Sequence, residues 1–319
     1  MSTTRPPFDP ELEAALAAVR ALMPPTVTPE MIQPMRDAAP RVGIDDLVAG
    51  RPMTGTDHTV EGYDGEPIEV TVFAPAGHTA AGPGVVYLHG GGMVSGDRFG
   101  AVAQPLSWVE RFDAVCVTVG YRLAPEHPDP YPVEDGYAGL VWTVDHAAEL
   151  GIDPSRVVVV GRSSGGGLAA GVALLTRDRG GPALHGLMLI SPMLDDRNET
   201  VSSRQIDGDG VWDRGSNDTG WNALLGERRA TDDVSIYAAP ARATDLGGLP
   251  PVFVDCGTAE VFRDEDVAYA SGIWAAGGQA ELHAWPGAFH AFDLLAPDVA
   301  LSQAARAARD AWMARLLGS

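Results

Sequence analysis

From about residue 60 onward, compact apolar runs alternate with stretches of helical spacing. The runs "GVVYLHGGG", "DAVCVTVGYR", "DPSRVVVVG", "LHGLMLISP", "PPVFVDCGT" and "AELHAWPG" read as strands, and "PIEVTVFAP" alternates like an edge strand. Between them lie "PVEDGYAGLVWTVDHAAELG", ending at Gly151, "SGGGLAAGVALLTRDRG", ending at Gly180, "RDEDVAYASGIWAAGG" and a terminal "VALSQAARAARDAWMARLL", all helical in period. Strands that are apolar on both faces, separated by helices, imply a mostly parallel sheet covered on both sides, an α/β fold. Ahead of this core, residues 9–23 put Leu12, Ala15, Leu16, Val19 and Leu22 on one helical face, with Asp9 suited to the N-cap and Pro10 to the first helical position. Residues 24–48 are proline-rich, with one short helix expected near Met31. The alternation lapses again between Pro192 and Pro250, a polar stretch holding Trp212 and Trp221, which reads as an insertion.

Composition narrows the partners. The chain has 319 residues, 22 Lys+Arg against 43 Asp+Glu, and a formal charge of −21. Such a surface repels phosphate backbones and anionic lipid, so neither nucleic acid nor a membrane is expected as a partner. No apolar run approaches the roughly 20 residues of a membrane helix, and "MSTTRPPFDP" lacks the apolar core of a signal peptide. The expectation is a soluble, cytoplasmic protein. Cys116 and Cys256 lie in apolar strands and read as buried hydrophobes rather than reactive thiols.

The candidate chemistry begins where the valine run of "VVVVGRSSGGG" stops. "GRSSG" fits G-x-S-x-G with Ser163 at the centre, directly after a strand and opening a helix. A serine on such a turn is presented on a sharp, strained backbone, and the flanking glycines leave room where a Cβ would clash. Centring the motif on Ser164 would put Arg162 in the first glycine position, so Ser163 is the better nucleophile. The motif alone also suits a plain strand-to-helix turn. A serine needs a base and donors for an oxyanion. His89-Gly90-Gly91-Gly92 follows an earlier strand and can aim backbone N–H groups into a cavity. Among eight histidines, His290 lies in a loop after the strand "AELHAW", His283 lies within that strand, and His127 follows "YRLAPE". The order of elements favours His290 as the base. Asp255, Glu260 and Asp264 are the candidates for the acid. Asp255 is inside a strand and Asp264 suits a helix N-cap, whereas Glu260 sits just past the strand end. There is no H-E-x-x-H, no zinc-type Cys/His cluster and no P-loop, so neither metal nor cofactor is called for.

Four stretches together, "HGGG" at 89–92, "YRLAPEHPDPYPVEDGYAGLVW" at 121–142, "GRSSGGG" at 161–167, and "AEVFRDE" with "FHAF" near the end, resemble the bacterial hormone-sensitive-lipase-like (family IV) carboxylesterases. "LDDRNETVS" and "DVSIYAAPARATDLGGLPP" are similar to the actinobacterial subgroup that includes the heroin esterase. The resemblance implies an α/β-hydrolase fold with an eight-stranded, mostly parallel sheet and a helical cap. It implies a catalytic core at 51–192 and 236–319, and a cap built from 1–50 and 193–235. It further implies a triad of Ser163, Glu260 and His290, and an oxyanion hole from the N–H groups of Gly91, Gly92 and Ser164. A small-molecule ester of short acyl chain is the expected substrate, cleaved through an acyl-serine. An amidase or peptidase on the same triad, and a non-catalytic small-ligand receptor, are the alternatives. Phe8, Met93, Trp212 and Trp221 are candidate lining residues. Homodimers are common among such relatives, and the oligomeric state is left open. Arg162 departs from the Asp or Thr usual before the nucleophile, and the sequence leaves open whether it faces the pocket or a carboxylate such as Glu126 or Asp135.

Overall fold

The computed structural model describes residues 4–21 and 24–318. Its strands are β1 (Met53–Glu61), β2 (Pro67–Pro75), β3 (Gly82–Leu88), β4 (Val115–Gly120), β5 (Ile152–Arg162), β6 (Gly186–Ile190), β7 (Val252–Gly257) and β8 (Ala280–Trp285). They form one eight-stranded sheet in the order β1-β2-β4-β3-β5-β6-β7-β8. β2 is antiparallel to both β1 and β4, and every later pairing is parallel.

The valine run explains the layering. Along β5, Val157 and Val159 point into one hydrophobic cluster with Leu140, Leu168 and Val172, while Val158 and Val160 point into the opposite one with Trp108 and Met313. Side chains alternate across a strand, so an unbroken apolar run demands a covered face on each side. Each of these valines is fully buried, worth about 1.5–3 kcal/mol apiece by area removed from water. Helices Tyr131–Asp145, Ser164–Arg179 and Arg263–Ala275 cover the first face. Helices Ala103–Phe112 and Ala300–Leu317 cover the second.

Three expectations change. The edge strand is β1, not the "PIEVTVFAP" strand, which is second from the edge as β2. β1 is mostly polar and exposed, with only Met53 and Val60 buried, so it carries no apolar period to read. The helix over residues 9–23 is seen as Pro10–Arg20, capped by the Asp9 carboxylate on the N–H groups of Glu11 and Leu12. Leu22 lies outside the described residues. Within the front piece, the short helix Ile44–Val48 packs Ile44, Leu47 and Val48 against the second face of the sheet rather than over its end.

The rest of the front piece meets the 193–235 segment above the carboxyl ends of the strands. Thr26 Oγ1 donates to Asp213 (2.6 Å), Val27 N to Ser216 Oγ (2.8 Å), and Thr219 Oγ1 to the Val27 carbonyl (2.8 Å). No helix among the described residues is long and apolar enough to cross a membrane.

Candidate active site

Four strand ends converge on one point. β3 runs into His89, β5 into Ser163, β7 into the turn holding Glu260, and β8 into the loop holding His290. This is the crevice beyond the carboxyl ends of a parallel sheet, where α/β proteins place their ligands.

Ser163 sits at φ 56°, ψ −124°, between the end of β5 and the helix Ser164–Arg179. A side chain rarely adopts such a backbone unless its surroundings enforce it. Here Ser163 N donates to the Ile190 carbonyl (2.8 Å), and its own carbonyl accepts from Met193 N (3.0 Å) and Gly167 N (3.1 Å). A Cβ on Gly161 would overlap the Gly165 carbonyl, and one on Gly165 would overlap the carbonyls of Leu88 and His89. Both glycines of the motif are thus required by close backbone approach.

His290 Nε2 lies 2.9 Å from Ser163 Oγ, and its Nδ1 lies 2.7 Å from Glu260 Oε2. The second Glu260 oxygen accepts from Gly257 N at 2.6 Å. All three residues are buried. The other acid candidates are held elsewhere. Asp255 accepts from Trp285 Nε1 and Arg309 Nε. Asp264 is inside its helix rather than at the N-cap, which is Phe262. Its carboxylate accepts from Ser202 N (2.7 Å) and Arg263 Nε (2.7 Å). His283 stacks between Phe253 and Trp285, and His127 lies against Tyr131.

His89, Gly90, Gly91 and Gly92 face the serine turn across the site. Gly90, Gly91 and Gly92 line the same cavity as Ser163 and His290, a space of about 260 Å³. His89 is stacked on Tyr121 (4.2 Å) with its Nδ1 on the Gly90 carbonyl (2.8 Å). Burial pushes its imidazole down to about 4, so the ring is neutral at pH 7 and its Nδ1–H donates to that carbonyl. His89 therefore shapes the glycine loop. Ser164 opens its helix, so its N–H is among the first-turn donors that no helical carbonyl accepts.

The walls are Val27, Met35, Val211, Trp212 and Leu294. Of the four candidate lining residues, Trp212 is among these walls. Phe8, Met93 and Trp221 do not line this cavity. Phe8 lies edge-on to Phe289, behind the histidine loop, under the Arg5 guanidinium. Met93 and Trp221 are fully buried in the sheet-side core. Large apolar side chains next to a site are used as readily to support its loops as to face its ligand. A Cβ on Gly92 would overlap the Trp212 indole. Gly92→Ala should therefore displace both ring and loop and strain a backbone held at φ 66°, lowering the thermal midpoint and reducing kcat/KM by about 10- to 100-fold; thermal unfolding and steady-state kinetics on a p-nitrophenyl ester would show both.

Arg162 turns away from both carboxylates considered for it. Glu126 pairs with Arg36, and Asp135 with Arg122. Arg162 instead forms a bidentate pair with Asp293 (2.9 and 2.7 Å). Its partner is 131 residues away, in a helical turn the sequence reading did not single out.

Among the described residues, one group has metal-ligand spacing: donor atoms of Cys256, Glu260 and Asp266 lie within 4.8 Å of one another. Both Glu260 oxygens are already engaged, while neither Asp266 oxygen has a hydrogen-bond partner. Burial, then the nearby carboxylates Glu260, Glu265 and Asp255, push the Asp266 carboxyl well above its usual range. Burial likewise pushes up both thiols, and both cysteines are free and buried, as inert apolar residues are. The folded state holds the Asp266 proton over a pH range in which the unfolded chain has lost it. Stability from this group is thus complete below the ordinary carboxylate pKa and falls as pH rises. Asp266→Asn should stabilise the protein at pH 8 by about 1–3 kcal/mol and hardly at pH 4, read from unfolding curves at the two pH values.

Residues 85–294 match the family model described as alpha/beta hydrolase fold. The carboxylesterase NlhH of Mycobacterium tuberculosis is 37% identical over 246 residues, covering 72% of this chain and 73% of that one. The gibberellin receptor GID1A of Arabidopsis thaliana is 30% identical over 206 residues, covering 63% and 59%. Among solved structures, a bacterial heroin esterase superposes with a TM-score of 0.88 at 36% identity, covering 98% of each chain. With this fold, these motifs and these relatives, the chain belongs to the hormone-sensitive-lipase-like carboxylesterases of the α/β-hydrolase fold.

Proposed function

We propose that the protein is a serine carboxylesterase acting on short-chain acyl esters through an acyl-serine intermediate. One observation carries the reading: the unbroken hydrogen-bond chain from Ser163 Oγ through His290 to Glu260, at 2.9 and 2.7 Å, on the floor of an apolar-walled cavity. His290 Nε2 takes the Ser163 proton as Oγ attacks the ester carbonyl. Glu260 keeps the Nδ1 proton in place and stabilises the imidazolium that forms. The N–H groups of Gly91, Gly92 and Ser164 receive the oxyanion, each lowering the barrier by about 3 kcal/mol. His290 then protonates the leaving alcohol. Water, deprotonated by the same imidazole, attacks the acyl-serine and the proton returns to Ser163. Residues 4–21, 24–38 and 193–235 serve as the cap in this reading, which the wall residues Val27, Met35, Val211 and Trp212 support. A cytoplasmic location belongs to the same reading.

The receptor alternative is weakened by an intact His290 bonded on both nitrogens. A p-nitrophenyl ester series from acetate to laurate, with a matched anilide, tests the proposal. The expected result is a maximum between acetate and hexanoate, with negligible amide cleavage. Preference for laurate, or for the anilide, would overturn the substrate class, and tight binding without turnover would favour the receptor.

A further inference from the structure

Four charged side chains lie buried beside the triad: Arg162, Asp293, Arg309 and Asp255. Arg162 grips Asp293 in a bidentate fork. Arg309, from the terminal helix Ala300–Leu317, donates through Nη1 to Asp293 and through Nε (2.9 Å) and Nη2 (2.8 Å) to Asp255. Two cations and two anions sum to zero. Their positions in the chain are the informative part. Arg162 immediately precedes Ser163. Asp293 follows His290 by three residues. Asp255 is on β7, five residues before Glu260. The network therefore takes one member from each segment that carries a triad residue, and Arg309 ties them together. The Asp293 backbone is held as well, its carbonyl accepting from Arg306 Nη1 at 2.9 Å.

We propose that this network is a positioning device for catalysis: it clamps the serine turn to the histidine loop and neutralises the Arg162 charge beside the imidazole. The proposal rests on the Ser163–His290–Glu260 reading above. Stability alone does not account for the network, because the desolvation of buried ion pairs offsets most of their attraction and apolar side chains fill such space as well. What a bidentate guanidinium–carboxylate pair supplies is fixed orientation. Burial opposes the Asp293 charge, but Arg162 and Arg309 outweigh it and hold that carboxyl well below its usual range, so the Arg162–Asp293 pair is ionised at neutral pH; burial instead pushes the Asp255 carboxyl up, against the pull of Arg309. Arg162 also lines the cavity with Ser163 and His290. A bare cation there would oppose the imidazolium of the transition state, and Asp293 cancels it. His290 meets Glu260 on Nδ1, Ser163 on Nε2 and the Phe262 ring in a T-shaped contact, and Arg162 lines the same cavity. Cys256, Glu265 and Asp266 stand behind Glu260.

The test compares wild type, Arg162→Met, Asp293→Asn and the double variant, with rates expressed per active site titrated by paraoxon. Each single variant should lose about 10- to 100-fold in kcat with little change in KM. The acid limb of the pH–rate profile should move to lower pH in Asp293→Asn, where an unpaired cation opposes imidazolium. It should move to higher pH in Arg162→Met, where an anion is left in excess, and return to the wild-type position in the double variant. Arg162→Lys, which keeps the charge but loses the fork, should lower kcat and leave the limb in place. It also carries the test, with Asp293→Glu, should Asp293→Asn fail to fold. Unchanged kcat per site and unmoved limbs, or limbs that move in the same direction, would overturn the clamp. An enzyme that paraoxon does not titrate at Ser163 would overturn the triad reading instead.

Discussion

Ser163→Ala is expected to leave a folded protein whose turnover of p-nitrophenyl acetate falls by about four to six orders of magnitude. The size of the effect follows from the absence of a substitute. Ser163 Oγ is the oxygen held by His290 Nε2. The neighbouring Ser164 is fully buried, within the first turn of the helix Ser164–Arg179. The fold should tolerate the change because the strained backbone at 163 is held by main-chain bonds to Ile190, Met193 and Gly167. None of these uses the hydroxyl. Circular dichroism and a thermal midpoint within a few degrees of wild type would establish that the loss is chemical.

Glu260→Gln is expected to lower kcat by about three to four orders of magnitude, although it changes neither length nor volume. Glu260 accepts two hydrogen bonds, from Gly257 N and from His290 Nδ1. A glutamine has one acceptor oxygen and one donor nitrogen, so it can satisfy only one of them. If the oxygen stays on Gly257, the amide N–H meets Nδ1 and forces the tautomer with its proton on Nε2. That ring cannot take the serine proton. If the oxygen turns to His290, the buried Gly257 N–H faces another donor, at a cost of about 1–3 kcal/mol. Glu260→Asp should lose less, about 100-fold, by pulling the carboxylate back one methylene. Asp255→Asn separates this account from the rival acid. It removes a charge from the Arg309 network, not a bond to His290, so its loss should be far smaller than that of Glu260→Gln.

The layered core was legible because its signal is local. Val157 to Val160 are apolar on both faces in sequence, and both faces are covered in the structure. The turn at Ser163 was legible because glycine is the residue that tolerates such backbone approach. β1 was not legible, since one solvated edge strand needs few apolar positions. The cavity walls were misjudged at Phe8, Met93 and Trp221 because hydrophobicity does not say which way a side chain turns. The Arg162–Asp293 pair joins positions 131 residues apart, and no spacing rule connects them. Asp266 carried no mark of burial in sequence, lying in an acidic run, "RDED", that reads as a solvated helix start. Tertiary packing, not propensity, put it in the dry.

In the proposed mechanism Ser163 Oγ, activated by His290, is the atom that takes the acyl group. Incubation with paraoxon followed by peptide mass spectrometry tests it most directly. The expected result is stoichiometric release of p-nitrophenolate, parallel loss of activity, and a diethylphosphoryl adduct on Ser163. Inactivation with the adduct on Ser164 or another residue, or full activity in a Ser163→Ala protein, would contradict it.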